Sequence, residues 1–179
     1  MSHLHRPLPP LVLVALFAAT AAQAAGTHSP AECAVWAREL SFAGSVAAHD
    51  AAAFAEHVDP GAVFDAAGQA PTRGRDAILV AWKGLLAGDG VELAWYPTRT
   101  TVGSGNAATV AWSSGPFLVT AETPDGRKNR ITGTFRSVWQ KGADGIWHVL
   151  YDAGGDSRPA TDADVEAFRA GRRETCPAD

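Results

Sequence analysis

Residues 128–152 read KNRITGTFRSVWQKGADGIWHVLYD, and this stretch decides the fold. From Lys128 to Gln140 the side chains alternate, so Ile131, Gly133, Phe135, Ser137 and Trp139 share one face of a strand. Thr132, Thr134, Arg136, Val138 and Gln140 fall on the other, and the aromatic face is expected to point inward. Gly142-Ala143-Asp144-Gly145 then marks a hairpin turn, after which Ile146 to Asp152 reads as the returning strand. Toward the N-terminus, Pro124-Asp125-Gly126 and Gly103-Ser104-Gly105-Asn106 are two further turns. They delimit strands from Ala107 to Ala121 and from Val91 to Val102. Gly115-Pro116 interrupts the first of these, which marks a bulge or an edge.

Upstream of Val91 the period changes from two to three-and-four. Ser29-Pro30-Ala31-Glu32 combines a capping Ser, a Pro in the first turn and a Glu able to reach back, so a helix starts there. Cys33, Trp36, Leu40, Ala43 and Ala47 form its expected buried stripe, with Arg38, Glu39 and Ser45 off it. Asp50 caps a second short helix carrying Phe54 and Val58, ended by Asp59-Pro60-Gly61. Ala62 to Asp65 reads as a short strand. Gly74 introduces a third helix, Arg75 to Leu86, stopped at Gly88-Asp89-Gly90. A last short helix is expected from Thr161 to Ala170. Helices followed by a meander of long strands make an α+β cone with an open mouth, a curved antiparallel sheet around about three N-terminal helices.

Composition bounds the partners. The 179 residues are 46% hydrophobic and 19% charged, an ordinary globular mix for one domain. Arg6 precedes the apolar run Leu11 to Ala19, which ends in Ala22-Gln23-Ala24-Ala25. This reads as a signal peptide over residues 1–25, because the run is shorter than the roughly 18–20 residues of a spanning helix. A periplasmic or secreted protein, with no membrane attachment after cleavage, is expected. Cleavage removes one Arg and takes the formal charge from −4 to −5. No Lys/Arg stripe remains to hold phosphates, so nucleic acid is not an expected partner. Cys33 and Cys176 are the only cysteines. In an oxidising compartment they read as a disulfide tying the tail to the first helix, the alternative being two buried thiols. The histidines do not pair at ligand spacing, so no metal and no cofactor are expected.

Ala62-Val63-Phe64-Asp65, Gly68, Pro71, Gly74-Arg75-Asp76-Ala77-Ile78, then Asp144-Gly145-Ile146-Trp147-His148-Val149 and Asp152-Ala153-Gly154 resemble the nuclear-transport-factor-2-like superfamily. Within it the chain is similar to the SnoaL-like and ketosteroid-isomerase-like branch of small exported domains. The resemblance covers about Ala31 to Gly155 and implies a domain over 26–155 with a charged tail over 156–179. It puts the isomerase's catalytic Asp at Asp65, while its oxyanion tyrosine falls near Phe42 and its protonated Asp near Ser137, neither of which can play that part. The resemblance thus implies a base without the oxyanion hole, which argues against steroid isomerisation itself.

Three acid/base candidates result. Asp65 is a general base or a turn residue, His57 a proton carrier in the pocket wall or a hydrogen-bonded helix-end residue, and Asp152 a second acid/base or a cap of the strand end through Gly154-Gly155. Trp82, Trp95, Trp112, Phe117 and Phe135 lie on elements that line the cavity in the family's fold, and each ring is pocket lining or core. The expected function is binding of a small apolar or aromatic molecule. The rivals are a cofactor-independent isomerase, cyclase or hydratase using Asp65 with His57 or Asp152, and a homodimeric interaction module pairing through the outer sheet face.

Overall fold

A computed structural model describes residues 28–177 apart from 67 and 106–107. The signal-peptide reading lies outside the described residues. In chain order the elements are α1 (Pro30–Ala47), α2 (Ala51–His57), β1 (Val58–Phe64), β2 (Thr72–Arg73), α3 (Arg75–Ala81) and α4 (Lys83–Ala87). There follow β3 (Val91–Trp95), β4 (Arg99–Val102), β5 (Val110–Glu122), β6 (Lys128–Lys141), β7 (Trp147–Pro159) and α5 (Asp162–Gly171). The strands form one seven-stranded sheet in the order β2-β1-β7-β6-β5-β3, with β4 also on β5, and α1 packs across β3, β4 and β5.

The architecture is the expected α+β cone, with five differences in detail. α2 stops at His57, so Val58 and Asp59-Pro60-Gly61 belong to β1 and not to the helix and its closing turn. The sheet is mixed, because β1 runs parallel to β7 while every other pair is antiparallel. The third helix is broken at Trp82 (φ −92°, ψ 2°), leaving α3 and α4. The strand from Val91 to Val102 is split, both halves pairing with β5 on either side of Gly115-Pro116. Here the bypassing segment crosses so closely that a Cβ on Gly115 would lie 2.0 Å from the Tyr96 carbonyl oxygen. Only glycine fits, and Pro116 gives up no ladder bond where the neighbouring strand has left the sheet. Finally, β7 does not end at Asp152 but continues through Gly154-Gly155 to Pro159, so Asp152 is no strand-end cap.

α1 begins as expected, with Ser29 and Glu32 forming a reciprocal capping box. Trp36 and Ala43 of the expected stripe are buried, but the buried face also takes in Val35, Glu39, Phe42 and Val46, while Leu40 is half-buried and Ala47 exposed. Phe42 is the hub, with ring centroids of Phe54, Trp95 and Trp139 at 5.2, 5.2 and 6.0 Å. The tail docks. Thr161 caps α5, Val165 is buried, and the Phe168 ring lies 4.9 Å from that of Tyr96. Cys33 and Cys176 are disulfide-bonded with Cα atoms 5.3 Å apart, the expected closure of tail onto first helix.

Candidate functional site

The inner face of the sheet and the broken helix leave a cavity of about 190 Å³ lined by Asp65, Trp82, Leu93, Trp95, Phe117, Val119, Phe135, Asp152 and Gly154. Alternation explains most of this wall. Leu93 and Trp95 on β3 face Val119 and Phe117 on β5, and Phe135 follows on β6 in register with Gly115 and Gly154. Phe117 is seated in a bare patch of backbone, since a Cβ on Gly133 would meet its ring at 2.7 Å and one on Gly154 at 3.3 Å. Trp82 closes the side opposite the sheet, its ring 5.2 Å from Phe54 and 5.4 Å from Phe64.

The polar wall comes from the parallel pair. Phe64 is in register with Asp152, and the next residue, Asp65, donates its N–H to the Asp152 carbonyl at 2.8 Å. Asp65 then turns the chain out of the sheet with φ 53°, a left-handed conformation that Asp tolerates, and its own carbonyl accepts from Gly68. It is thus both turn residue and cavity liner, exposed at the rim. Asp152 is half-buried deeper in the same wall. Its Oδ2 accepts from the Ser137 hydroxyl at 2.7 Å, and among the described residues no other hydrogen bond reaches its carboxyl. Burial is the main cause that pushes this carboxyl up, to about 7. The Ser137 bond opposes that shift, and the nearby Glu39 and Asp65 carboxyls reinforce it.

Of the residues singled out from the sequence, Asp65, Asp152, Trp82, Trp95, Phe117 and Phe135 converge on this cavity. Three do not line it. Ser137 is fully buried behind the wall as the partner of Asp152. Trp112 lies on the outer face of β5, 36% exposed, because β5 keeps an unbroken register and residues 112 and 117 have opposite parity. His57 sits beside Phe42 in the helical layer, where Nδ1–H donates to the Ala53 carbonyl at 2.7 Å and Nε2 accepts from Ser41 at 3.0 Å. Burial lowers it to about 4, so it is a neutral helix-end residue and not part of the pocket wall.

One buried carboxyl was not singled out at all. Glu39 is fully buried on α1 and accepts from Trp95 Nε1 at 2.7 Å, from Trp139 Nε1 at 3.1 Å and from the Ser113 hydroxyl. Its signal was present, a carboxylate inside the apolar stripe Val35, Phe42 and Val46 at helical spacing. Burial raises its affinity for a proton, opposed by the donors around it. Among the described residues no group of three His, Cys, Asp or Glu side chains converges as metal ligands, and no helix is long and apolar enough to cross a membrane.

The sequence profile of the SnoaL-like domain matches residues 40–149, from α1 into β7. The chain belongs to the SnoaL-like family. Solved structures agree on the fold. A nuclear transport factor 2-like superfamily protein from Salmonella enterica serovar Typhimurium LT2 superposes with a TM-score of 0.55 at 17% identity, over 73% of this chain and 92% of that one. A ketosteroid isomerase-like protein from Erwinia carotovora atroseptica gives 0.57 at 16%, over 73% and 97%. A conserved protein from Planctomyces limnophilus gives 0.56 at 15%, over 71% and 95%. No curated protein sequence matches the chain.

Proposed function

We propose that the domain binds a small, flat, apolar molecule carrying one polar group, which meets Asp152. The observation that carries this reading is the cavity itself, a wall of aromatic and aliphatic side chains closed at one side by two carboxyls. Its volume of about 190 Å³ exceeds the roughly 150 Å³ that takes up benzene and is below the roughly 300 Å³ of a drug-sized site. One or two fused rings fit. The disulfide agrees with work in an oxidising, exported setting. The test is titration with 2-tetralone and with tetralin, its analogue without the carbonyl, followed through the indole resonances of Trp82 and Trp95. Saturable shifts, with the ketone the tighter ligand, support binding at this wall. Unmoved resonances with both compounds would sink it.

A second reading is favoured by the pairing of Asp152 with Asp65. A carboxyl titrating near neutrality next to an apolar pocket suits general acid/base work, and a second carboxyl lies in the same wall. Proton transfer then requires Asp152, and Asp65 assists from the rim. The measurement is uptake of solvent deuterium beside the carbonyl of 2-tetralone. Catalysed uptake that is lost in Asp152→Asn while binding persists supports an enzyme, and uptake no faster than in buffer leaves the domain a binder.

A further inference from the structure

Glu39 is a carboxyl that the cavity reading leaves unused. Its partners come from three strands: Trp95 on β3, Ser113 on β5, and Trp139 on β6. All three can donate, and the two indoles can do nothing else. None of these donors is charged, so the cage offers hydrogen bonds without a counter-ion. Such a cage stabilises a carboxylate and gives a carboxylic acid little to donate to. The same row of the sheet leads from this cage to the cavity, for Ser113, Ser137 and Asp152 are direct cross-strand partners on β5, β6 and β7. The Ser137 hydroxyl is given to Asp152 and also faces Glu39. One buried hydroxyl is therefore what separates the two carboxyls.

We propose that Glu39 is a positioning residue for Asp152: joined through Ser137, the two carboxyls hold one proton between them, Glu39 as the anion in its donor cage and Asp152 as the acid at the cavity wall. Two like charges this close in a dry interior cannot both ionise cheaply, and their titration belongs to the pair. Burial pushes both groups upward, the direction a retained proton requires. The charged groups that face Asp152 are Glu39 from α1 and Asp65 from the end of β1, both acidic. The pair makes Asp152 a hydrogen-bond donor at neutral pH, which selects an apolar ligand bearing an acceptor oxygen over a cation.

The proposal rests on Asp152 being the working polar group of the cavity, and it is tested without ligand on the intact, disulfide-bonded chain. The Asp152 carboxyl carbon and the indole N–H resonances of Trp95 and Trp139 are followed from about pH 4 to about pH 9. The expected result is one shared midpoint near neutrality. In Glu39→Gln the Asp152 midpoint falls by about one unit or more, and in Asp152→Asn the indole step leaves that midpoint. Indoles that stay flat while Asp152 titrates, or an Asp152 midpoint unmoved in Glu39→Gln, make Glu39 structural and overturn the proposal. Should Glu39→Gln not fold, the wild-type and Asp152→Asn titrations decide alone. A protein that fails to take up 2-tetralone yet shows the shared midpoint defeats the binding reading only. Bound ketone with flat indoles defeats the coupling only.

Discussion

The backbone N–H of Asp65 is bonded to the carbonyl oxygen of Asp152, and through that one contact two carboxyl side chains from distant parts of the chain enter the same cavity wall. Their environments differ. Asp65 is exposed at the rim, whereas Asp152 is crowded by protein and held at about 7. The folded value of Asp152 lies above the unperturbed 3.8, so the native state binds the extra proton and its stability falls as pH rises through that window. The full penalty above the window is on the order of 4 kcal/mol. Asp152→Asn is expected to remove this slope, so that urea unfolding at about pH 8 shows the variant more stable than wild type.

His57 works with the opposite sign. Its folded value of about 4 lies below the ordinary 6.5, so its stabilising contribution is complete above 6.5 and is lost as pH falls toward 4. That loss is on the order of 3 kcal/mol. Between these values the two residues oppose each other and wild type should be nearly level. His57→Gln is expected to uncover the falling slope of Asp152, and Asp152→Asn the rising slope of His57, in denaturation series across the same pH range.

The bond between Cys33 and Cys176 closes a loop with a sequence separation of 143. In the chain-entropy account, replacing both with Ser costs up to about 5 kcal/mol. The loss should be visible as a lowered denaturation midpoint, with faster amide exchange at Val165 and Phe168 before the sheet is affected.

Two glycines that look alike in the sequence should respond differently. Gly115→Ala forces a Cβ onto the Tyr96 carbonyl oxygen and is expected to destabilise by about 3 kcal/mol, with loss of the β3–β4 bypass. Gly154→Ala meets only the Phe117 ring at 3.3 Å, which can yield toward the cavity. Stability should change by less than about 1 kcal/mol, while 2-tetralone binds about tenfold more weakly. Adding Phe117→Leu should restore affinity, as read by calorimetric titration.

Much of the fold was legible because turns and caps are local. Ser29 and Glu32, Pro124-Asp125-Gly126 and Gly142 to Gly145 sit where their chemistry requires. The inward parity of Phe135, Ser137 and Trp139 was likewise readable. The register between distant strands was not, so the parallel partner of β7 and its extension to Pro159 went unseen. Trp112 lies on a strand that lines the cavity in the family's fold, but which face of that strand it takes depends on a register that runs unbroken past Gly115-Pro116 and puts it on the face opposite to that of Phe117. Glu39 falls off the stripe that the spacing of Cys33, Trp36, Leu40, Ala43 and Ala47 implies, and the donors from three strands that let a carboxyl be buried meet only in the fold. Of the two readings that His57 allows, its bonds to Ala53 and Ser41 match the hydrogen-bonded helix-end residue and not the pocket-wall position that the family resemblance implies.

The parallel pairing of β1 with β7 also sets a timetable. During synthesis β1 emerges about ninety residues before the strand it must pair with, and hairpins can form along the whole intervening meander while it waits. The wall that carries Asp65 and Asp152 is therefore completed only when the final strand arrives. A nascent or truncated chain can own α1 to α4 and most of the sheet and still have no site, which ties any activity of this protein to the finished molecule.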